Sequence, residues 1–219
     1  MPGLTEINLY GQHLLLLPER ALYWKQSKML IVADLHFGKA QVFRAGGIPI
    51  PIGTTADNID RLSSLFERFR PEELLVLGDL MHGWIDGSGA FNATVDKWRR
   101  RWSDIRLSLV TGNHDLRAGQ PPAIFRLDRV VSQHVVKPFV FSHKPKPKSD
   151  EYAIAGHLHP AVSVSGKAFQ KETLPCFCFG AKRALLPAFG GFTGSHVIRP
   201  RPQERVFVIA DQEVIEIMS

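Results

Sequence analysis

Seven residues of types that ligate metal ions lie in short segments of related form along this chain. Asp34 and His36 belong to Ala33-Asp34-Leu35-His36, and Asp79 closes Leu77-Gly78-Asp79. Asn113 leads Asn113-His114-Asp115 after Thr111-Gly112, and His143 ends Phe141-Ser142-His143. His157 and His159 sit in Gly156-His157-Leu158-His159. D-x-H, then G-D, then G-N-H-D, then a lone His after an apolar run, then G-H-x-H is the pattern expected of a dinuclear metal centre, and it implies metal-assisted hydrolysis of a phosphate ester. No thiolate occurs in any of these motifs, which favours Mn, Fe, Zn or Mg over Cu(I) or an iron–sulfur cluster.

The chemistry assigns roles. Two ions about 3.5–4 Å apart share a hydroxide nucleophile and clamp phosphate oxygens. A carboxylate must bridge them, and Asp79, alone in its loop and central in the motif order, is the candidate. Two divalent ions carry about four positive charges, of which Asp34 and Asp79 remove two; the remainder balances a hydroxide and a monoanionic phosphodiester. A dianionic monoester stays open on this count. An i, i+2 pair leaving a strand points to one side, so Asp34 with His36, and His157 with His159, are each expected to grip one ion. Asn113 offers a neutral amide oxygen. His114 must point elsewhere, and it suits a proton donor to the leaving alkoxide or a stabiliser of transition-state charge, a role typically contributing about 10²–10⁴-fold. Asp115 is expected to hydrogen-bond that ring and raise its pKa.

These residues need strands behind them. Met29–Val32, Leu74–Leu77 and Leu107–Val110 are apolar runs that lead straight into Asp34 and His36, Asp79, and Asn113. In open α/β sheets, sites form beyond the carboxyl ends of strands, so three ligand loops are expected on one sheet edge. Ile7–Tyr10 and His13–Leu17 flank a predicted hairpin turn at Gly11-Gln12. Residues 53–70 carry Ile59, Leu62, Leu65, Phe66 and Phe69 on one helical face, with Thr54 or Thr55 as N-cap and Pro71 as stop. Phe91–Trp102 is a second predicted helix, whose Arg99, Arg100 and Arg101 are expected to be a solvated end. From Val130 onward the pattern is strand-rich: Phe139–Phe141, Tyr152–Ala155, Ala161–Val164, Cys176–Phe179, and a hairpin of Val206–Ala210 with Glu213–Ile217. The first half supplies oxygen-rich ligands and the second histidines, so residues 1–219 are expected to form a single domain.

Bulk properties agree. The chain has 219 residues, 44% hydrophobic and 22% charged, an ordinary globular composition rather than a disordered one. Its net charge of +6 and pI near 9.5 suit a polyanionic partner. Leu14–Leu17 is too short to span a bilayer, and the start lacks the pattern of a secretory signal. Cys176 and Cys178 are expected to be reduced core thiols of a cytoplasmic protein.

The metal motifs resemble the calcineurin-like metallophosphoesterase superfamily in type and order. The resemblance implies an α/β (α+β) four-layer fold, two mixed β-sheets packed face to face and flanked by helices. It implies one ion held by Asp34, His36, Asp79 and His159, and another by Asp79, Asn113, His143 and His157, with His114 as the catalytic histidine. Leu80-Met81-His82-Gly83 departs from the pattern, since many members carry a further acidic residue there. Longer segments are similar to the bacterial ligase-associated DNA-damage-response endonucleases: Leu17-Pro18-Glu19-Arg20-Ala21-Leu22-Tyr23-Trp24, His36-Phe37-Gly38-Lys39-Ala40 with Phe43-Arg44, Gly47-Ile48-Pro49 and Leu186-Pro187-Ala188-Phe189-Gly190. That resemblance implies manganese-dependent cleavage of single-stranded DNA, beside a ligase, a helicase and a nuclease.

Outside the ligands, Lys39, Arg44, Arg117 and His82 are candidates for substrate-phosphate contact. Lys144, Lys146 and Lys148 lie in a basic loop after His143 and are placed to track a nucleic-acid backbone, or to be solvated. Phe37, Phe189, Phe192 and Trp84 are candidates for base stacking. His13, His134 and His196 are expected to be structural or exposed. Rival functions are a phosphomonoesterase, a small cyclic-nucleotide diesterase, and a metal-free scaffold.

Overall fold

The structure, a computed structural model, describes residues 3–45, 47, 54–83, 89–146, 150–165, 171–191 and 193–217. A first sheet runs in chain order: β1 (Thr5–Leu9), β2 (Gln12–Leu17), β3 (Ala21–Trp24), β4 (Met29–Val32), β5 (Glu73–Leu77), β6 (Arg106–Val110) and β7 (Arg129–Val131). β1 to β4 pair antiparallel, and β4 to β7 pair parallel. Parallel neighbours need crossovers. α1 (Lys39–Ala45) and α2 (Thr54–Phe69) join β4 to β5, α3 (Ala90–Arg101) joins β5 to β6, and α4 (Asn113–Ala118) with a 3-10 turn at Ala123–Phe125 joins β6 to β7.

The remaining strands are β8 (Gln133–Val136), β9 (Phe139–Ser142), β10 (Tyr152–Ala155), β11 (Pro160–Ser165), β12 (Lys171–Phe179), β13 (Arg183–Leu185), β14 (His196–Val197), β15 (Arg205–Ala210) and β16 (Glu213–Ile217). They form a second mixed sheet in the order β14-β11-β12-β13-β10-β9-β8, with β15 and β16 added alongside β12. β9, β10 and β13 are parallel. Both sheets therefore have a parallel centre whose carboxyl ends carry loops.

Strand alternation divides the core. From the first sheet, Leu15, Leu17, Leu30, Val32, Leu74, Val76, Leu107 and Leu109 face α2 and α3, meeting Leu62, Leu65, Phe66, Val95 and Trp98. Their neighbours Leu14, Leu16, Met29, Ile31, Leu75 and Leu77 face the other way, onto Phe139, Phe141, Phe177 and Phe207 of the second sheet. A strand buried on both faces reads as an unbroken apolar run, which is the form these strands take. The far face of the second sheet has its own small cluster, including Cys176, Cys178, Val206 and Val208. The fold is thus the expected two mixed sheets face to face with helices outside. The described α-helices all precede residue 119, so among the described residues the flanking is on the first sheet.

Two local expectations shift. The first hairpin turns at Tyr10-Gly11, since Leu9 pairs with Gln12. Tyr10 and Gly11 both have positive φ, 51° and 75°, the twist a two-residue hairpin needs. Arg99 is not part of a solvated end. It is buried, and its guanidinium donates to the carbonyls of Phe125, Trp102 and Ile105 at 2.9, 3.1 and 3.1 Å. Arg100 pairs with Asp96 and Arg101 with Glu67.

Candidate metal centre

Each ligand motif leaves the carboxyl end of a central parallel strand: Asp34 and His36 after β4, Asp79 after β5, Asn113 and His114 after β6, His143 after β9, His157 and His159 after β10. The loops are stitched together by their backbones. Asp34 N–H donates to Gly78 O at 3.1 Å, His36 N–H to Asp79 O at 2.8 Å, and Phe37 N–H to Leu80 O at 2.8 Å. A strap after β13 closes the other side, with Phe189 N–H on Ala33 O at 2.7 Å and Gly190 N–H on Asp34 O at 3.1 Å. This gives the Leu186–Gly190 segment a physical role: it holds the first ligand loop. Arg61 and Asn58 on α2 support the strap, Arg61 donating to Phe189 O and Asn58 accepting from Gly191 N–H. Sequence reasoning missed both, for they lie on a helix face that carries no chemical signature.

The glycines of the motifs make room. A Cβ on Gly78 would lie 2.2 Å from His143 Nδ1, one on Gly112 2.2 Å from Asp79 Oδ1, and one on Gly156 2.8 Å from Asp34 Oδ2. Gly78 also has φ +82°, which suits glycine. Asp34, His36, Asp79, His157 and His159 have positive φ despite their side chains. The i, i+2 pairs therefore leave left-handed turns, not extended strand. Asp34 and His36 still meet, but His157 and His159 part company.

Two donor sets result. Asp34, His36 and His159 converge, with donor atoms within 4.8 Å of one another, and Asp34 Oδ1 is 3.3 Å from His159 Nε2. Around His143 Nε2 lie His157 Nδ1 at 2.9 Å, Asn113 Oδ1 at 3.0 Å and Asp79 Oδ2 at 3.6 Å. Asp79 Oδ2 is also 3.9 Å from His36 Nε2, so one oxygen stands between the sets. Asp34 Oδ1 approaches His143 too, at 3.8 Å, but at Nδ1, the nitrogen that donates to Leu77 O.

Each carboxylate divides its oxygens. Asp79 Oδ1 accepts His114 N–H at 2.8 Å, and Asp34 Oδ2 accepts His157 N–H at 3.0 Å. The second oxygen of each is left for the centre. In Asp79 it is Oδ2 that faces both donor sets. The imidazoles are set likewise: His143 Nδ1 donates to Leu77 O and His159 Nδ1 to Gly194 O, at 3.0 and 2.9 Å. Fixing one ring nitrogen on a carbonyl leaves the other lone pair for a metal.

The donor set fits divalent ions. Asp34 is fully buried, yet its Oδ1 has no hydrogen-bond partner, and neither has the buried His36 Nε2. Orphaned buried polar atoms are costly unless something satisfies them, and a cation does. Burial, helped by the charge of Lys39, pushes the His36 pKa down to about 2, leaving it the neutral imidazole that ligation needs. Burial also lowers His157. For His159 burial pulls down, but the neighbouring Asp34 carboxylate and the Gly194 carbonyl outweigh it and raise the pKa.

His114 lies beside the first set, its ring 5.0 Å from that of His36. Its Nδ1 donates to the carbonyl of His82 at 2.9 Å, and the His82 ring stacks on it at 4.8 Å. The expected bond from Asp115 to this ring is replaced. Asp115 is buried, and its oxygens accept Met81 N–H at 3.0 Å and Gly112 N–H at 2.9 Å. It ties two ligand loops together, and burial raises its pKa. A backbone carbonyl, that of His82, orients the histidine.

Lys39 is half-buried beside His36, its Nζ 5.7 Å from the Phe43 ring centre. Arg117 is exposed on α4. The side chain of Arg44 lies outside the described residues, as do Lys148, Trp84 and Phe192. Phe37 and Phe189 are buried in the core at 1% and 0% exposure, so neither can stack on a base. His13 pairs with Glu6, the His134 ring stacks on Phe141, and His196 is exposed on β14 and reaches the site through its backbone N–H, which donates to His159 O at 2.9 Å.

The chain belongs to the calcineurin-like phosphoesterase family, whose profile matches residues 27–166, and it is a metal-dependent hydrolase. A crystal structure of the nuclease MPE from Pseudomonas putida is similar to it at 33% identity, covering 98% of this chain and 100% of that one, with a TM-score of 0.83. That likeness agrees with the ligase-associated endonuclease subfamily. A phosphoesterase from E. coli, YfcE, matches at 14% identity over 86% of this chain and 97% of its own, but its TM-score of 0.44 carries no weight. No curated protein matches the chain. Among the described residues no helix is long and apolar enough to cross a membrane.

Proposed function

We propose that this protein is a manganese-dependent endonuclease of single-stranded DNA, acting in DNA repair. The observation that carries the reading is the pair of donor sets meeting at Asp79 Oδ2, in a chain similar over 98% of its length to a nuclease. Asp34, His36, Asp79 and His159 would hold one ion, and Asp79, Asn113, His143 and His157 the other. Bound there, two divalent ions supply a nucleophile at neutral pH and polarise the phosphoryl oxygens. Oxygen and imidazole donors without thiolate suit manganese, with Fe, Zn or Mg as alternatives.

The chain's own residues do the rest. Asp34 and Asp79 contribute two negative charges that moderate the field felt by a phosphodiester. His114, with Nδ1 held on the His82 carbonyl, presents Nε2, which as the second N–H of an imidazolium would protonate the leaving alkoxide or stabilise its charge. Asp115 keeps the Gly112 and Met81 loops in register. Lys39, Arg44 and Arg117 are proposed to attract the phosphate backbone, and His82 to support His114. Because both sheets supply ligands, residues 1–219 act as one domain. Two free buried cysteines suit a reducing cytoplasm, and a net charge of +6 suits a nucleic acid. Association with a ligase, a helicase and a nuclease belongs to the same reading.

A circular single-stranded DNA incubated with the protein and manganese tests this, because only an endonuclease opens a circle. Linearisation that requires metal is expected. Turnover confined to a phosphomonoester or a cyclic nucleotide would replace the reading with a phosphomonoesterase or small diesterase.

A further inference from the structure

On the side of Asn113 and His143 the centre opens into a groove of about 330 Å³. Leu116 lines it at 76% exposure, the highest of any described large apolar side chain. It stands three residues after Asn113 on α4, hence one turn along the same helix face. Lys144 and Lys146, both exposed, line the groove as well, and no acidic residue does. Gln133 contributes a side-chain amide whose Nε2 has no hydrogen-bond partner. An apolar platform, an unsatisfied donor and two cations thus adjoin one half of the donor sets.

We propose that this groove is a nucleotide subsite, seating the base next to the scissile phosphate against Leu116 while Lys144 and Lys146 take the neighbouring backbone phosphate. The proposal rests on the single-stranded DNA reading and sharpens it. A base offers its face only when unstacked, so a duplex leaves Leu116 nothing to meet, and a small ester has no second phosphate for the lysines. The volume admits one nucleoside rather than a duplex.

The test changes substrate and enzyme together. Strands with a mapped cleavage position carry an abasic nucleotide at each flanking position in turn. With the unaltered protein, one abasic position should lower kcat/KM about tenfold. Leu116→Ser should lower kcat/KM on the intact strand by about the same factor and remove the abasic penalty, since the same contact is lost either way. Lys144→Ala with Lys146→Ala should reduce the slope of log kcat/KM against log salt by about 1.4. An abasic penalty that persists undiminished in Leu116→Ser, or the absence of any penalty in the unaltered protein, overturns the subsite. Loss of manganese binding in Leu116→Ser, measured by calorimetry, assigns that residue to support of the centre and overturns it equally. An unchanged salt slope removes the lysines from it. If the unaltered protein leaves single strands intact, the endonuclease reading itself fails and the subsite falls with it.

Discussion

Gly112 sits where β6 hands over to α4, and a methyl group there has nowhere to go. A Cβ at this position would lie 2.2 Å from Asp79 Oδ1 and 2.4 Å from Asp79 N. Its φ of −95° and ψ of 176° suit any L residue, so the penalty of Gly112→Ala is purely steric. One of the obstructing atoms is backbone and cannot swing aside. Ordinary contact begins at 3.4 Å, so the two loops must part by about 1.2 Å. That movement breaks the 2.8 Å bond from His114 N–H to Asp79 Oδ1. A lost hydrogen bond to a buried carboxylate costs about 2 kcal/mol, too little to unfold a domain of ordinary stability. Misplacing catalytic groups by about 1 Å costs about 10²-fold in rate. Gly112→Ala should therefore stay folded in urea titrations while kcat for a diester at saturating manganese falls about 100-fold. Gly83→Ala is the control, because among the described residues its Cβ meets only Val42 Cγ2 at 3.5 Å, and its kcat should stay within about threefold of the parent. A Gly112→Ala protein with undiminished kcat would refute the close-approach account of this loop.

Three further outcomes are expected. Asp79→Ala should abolish activity and metal uptake together, whereas His114→Ala should keep both metals by calorimetry and lose about 10²–10⁴-fold in diester cleavage; metal loss in the latter would make His114 a ligand. Arg99→Ala strands the carbonyls of Phe125, Trp102 and Ile105, so urea unfolding should show a loss of about 3 kcal/mol, with DNA binding per folded molecule unchanged; weakened binding would restore this arginine as a contact. Burial pushes the thiols of Cys176 and Cys178 up to about 12, so the reactive thiolate is scarce at any pH well below that value. Alkylation of the native protein at pH 8 should be about 10³-fold slower than in denaturant, and equal rates would contradict their burial.

Much of the centre is legible in the chain because its signals are local. An apolar run feeding Asp34, Asp79 or Asn113 marks both a strand and the loop beyond it, since a parallel strand buried on both faces has few other sequence forms. α2, α3 and most of the longer strands follow from periodicity, with ends off by a residue or two except at β12, which begins at Lys171 rather than Cys176; the pairing of two sheets face to face came from the resemblance. β3, β7, β8, β13 and β14, each of two to four residues, are too short for their periodicity to mark them.

What the sequence alone determined is the inventory: which residues can ligate, in what order, on which strand ends, and hence the family and the hydrolytic chemistry. The tertiary structure decided how that inventory is shared out. It turned the backbone left-handed at Asp34, His36, Asp79, His157 and His159, sent His157 and His159 to different donor sets, and gave each aspartate one oxygen for a neighbouring loop and one for the centre. It also handed the orientation of His114 to a carbonyl instead of to Asp115, and it buried Arg99. These outcomes depend on which loops touch across two sheets, and a residue's spacing from its sequence neighbours says nothing about the partner it meets 35 positions away at 2.8 Å.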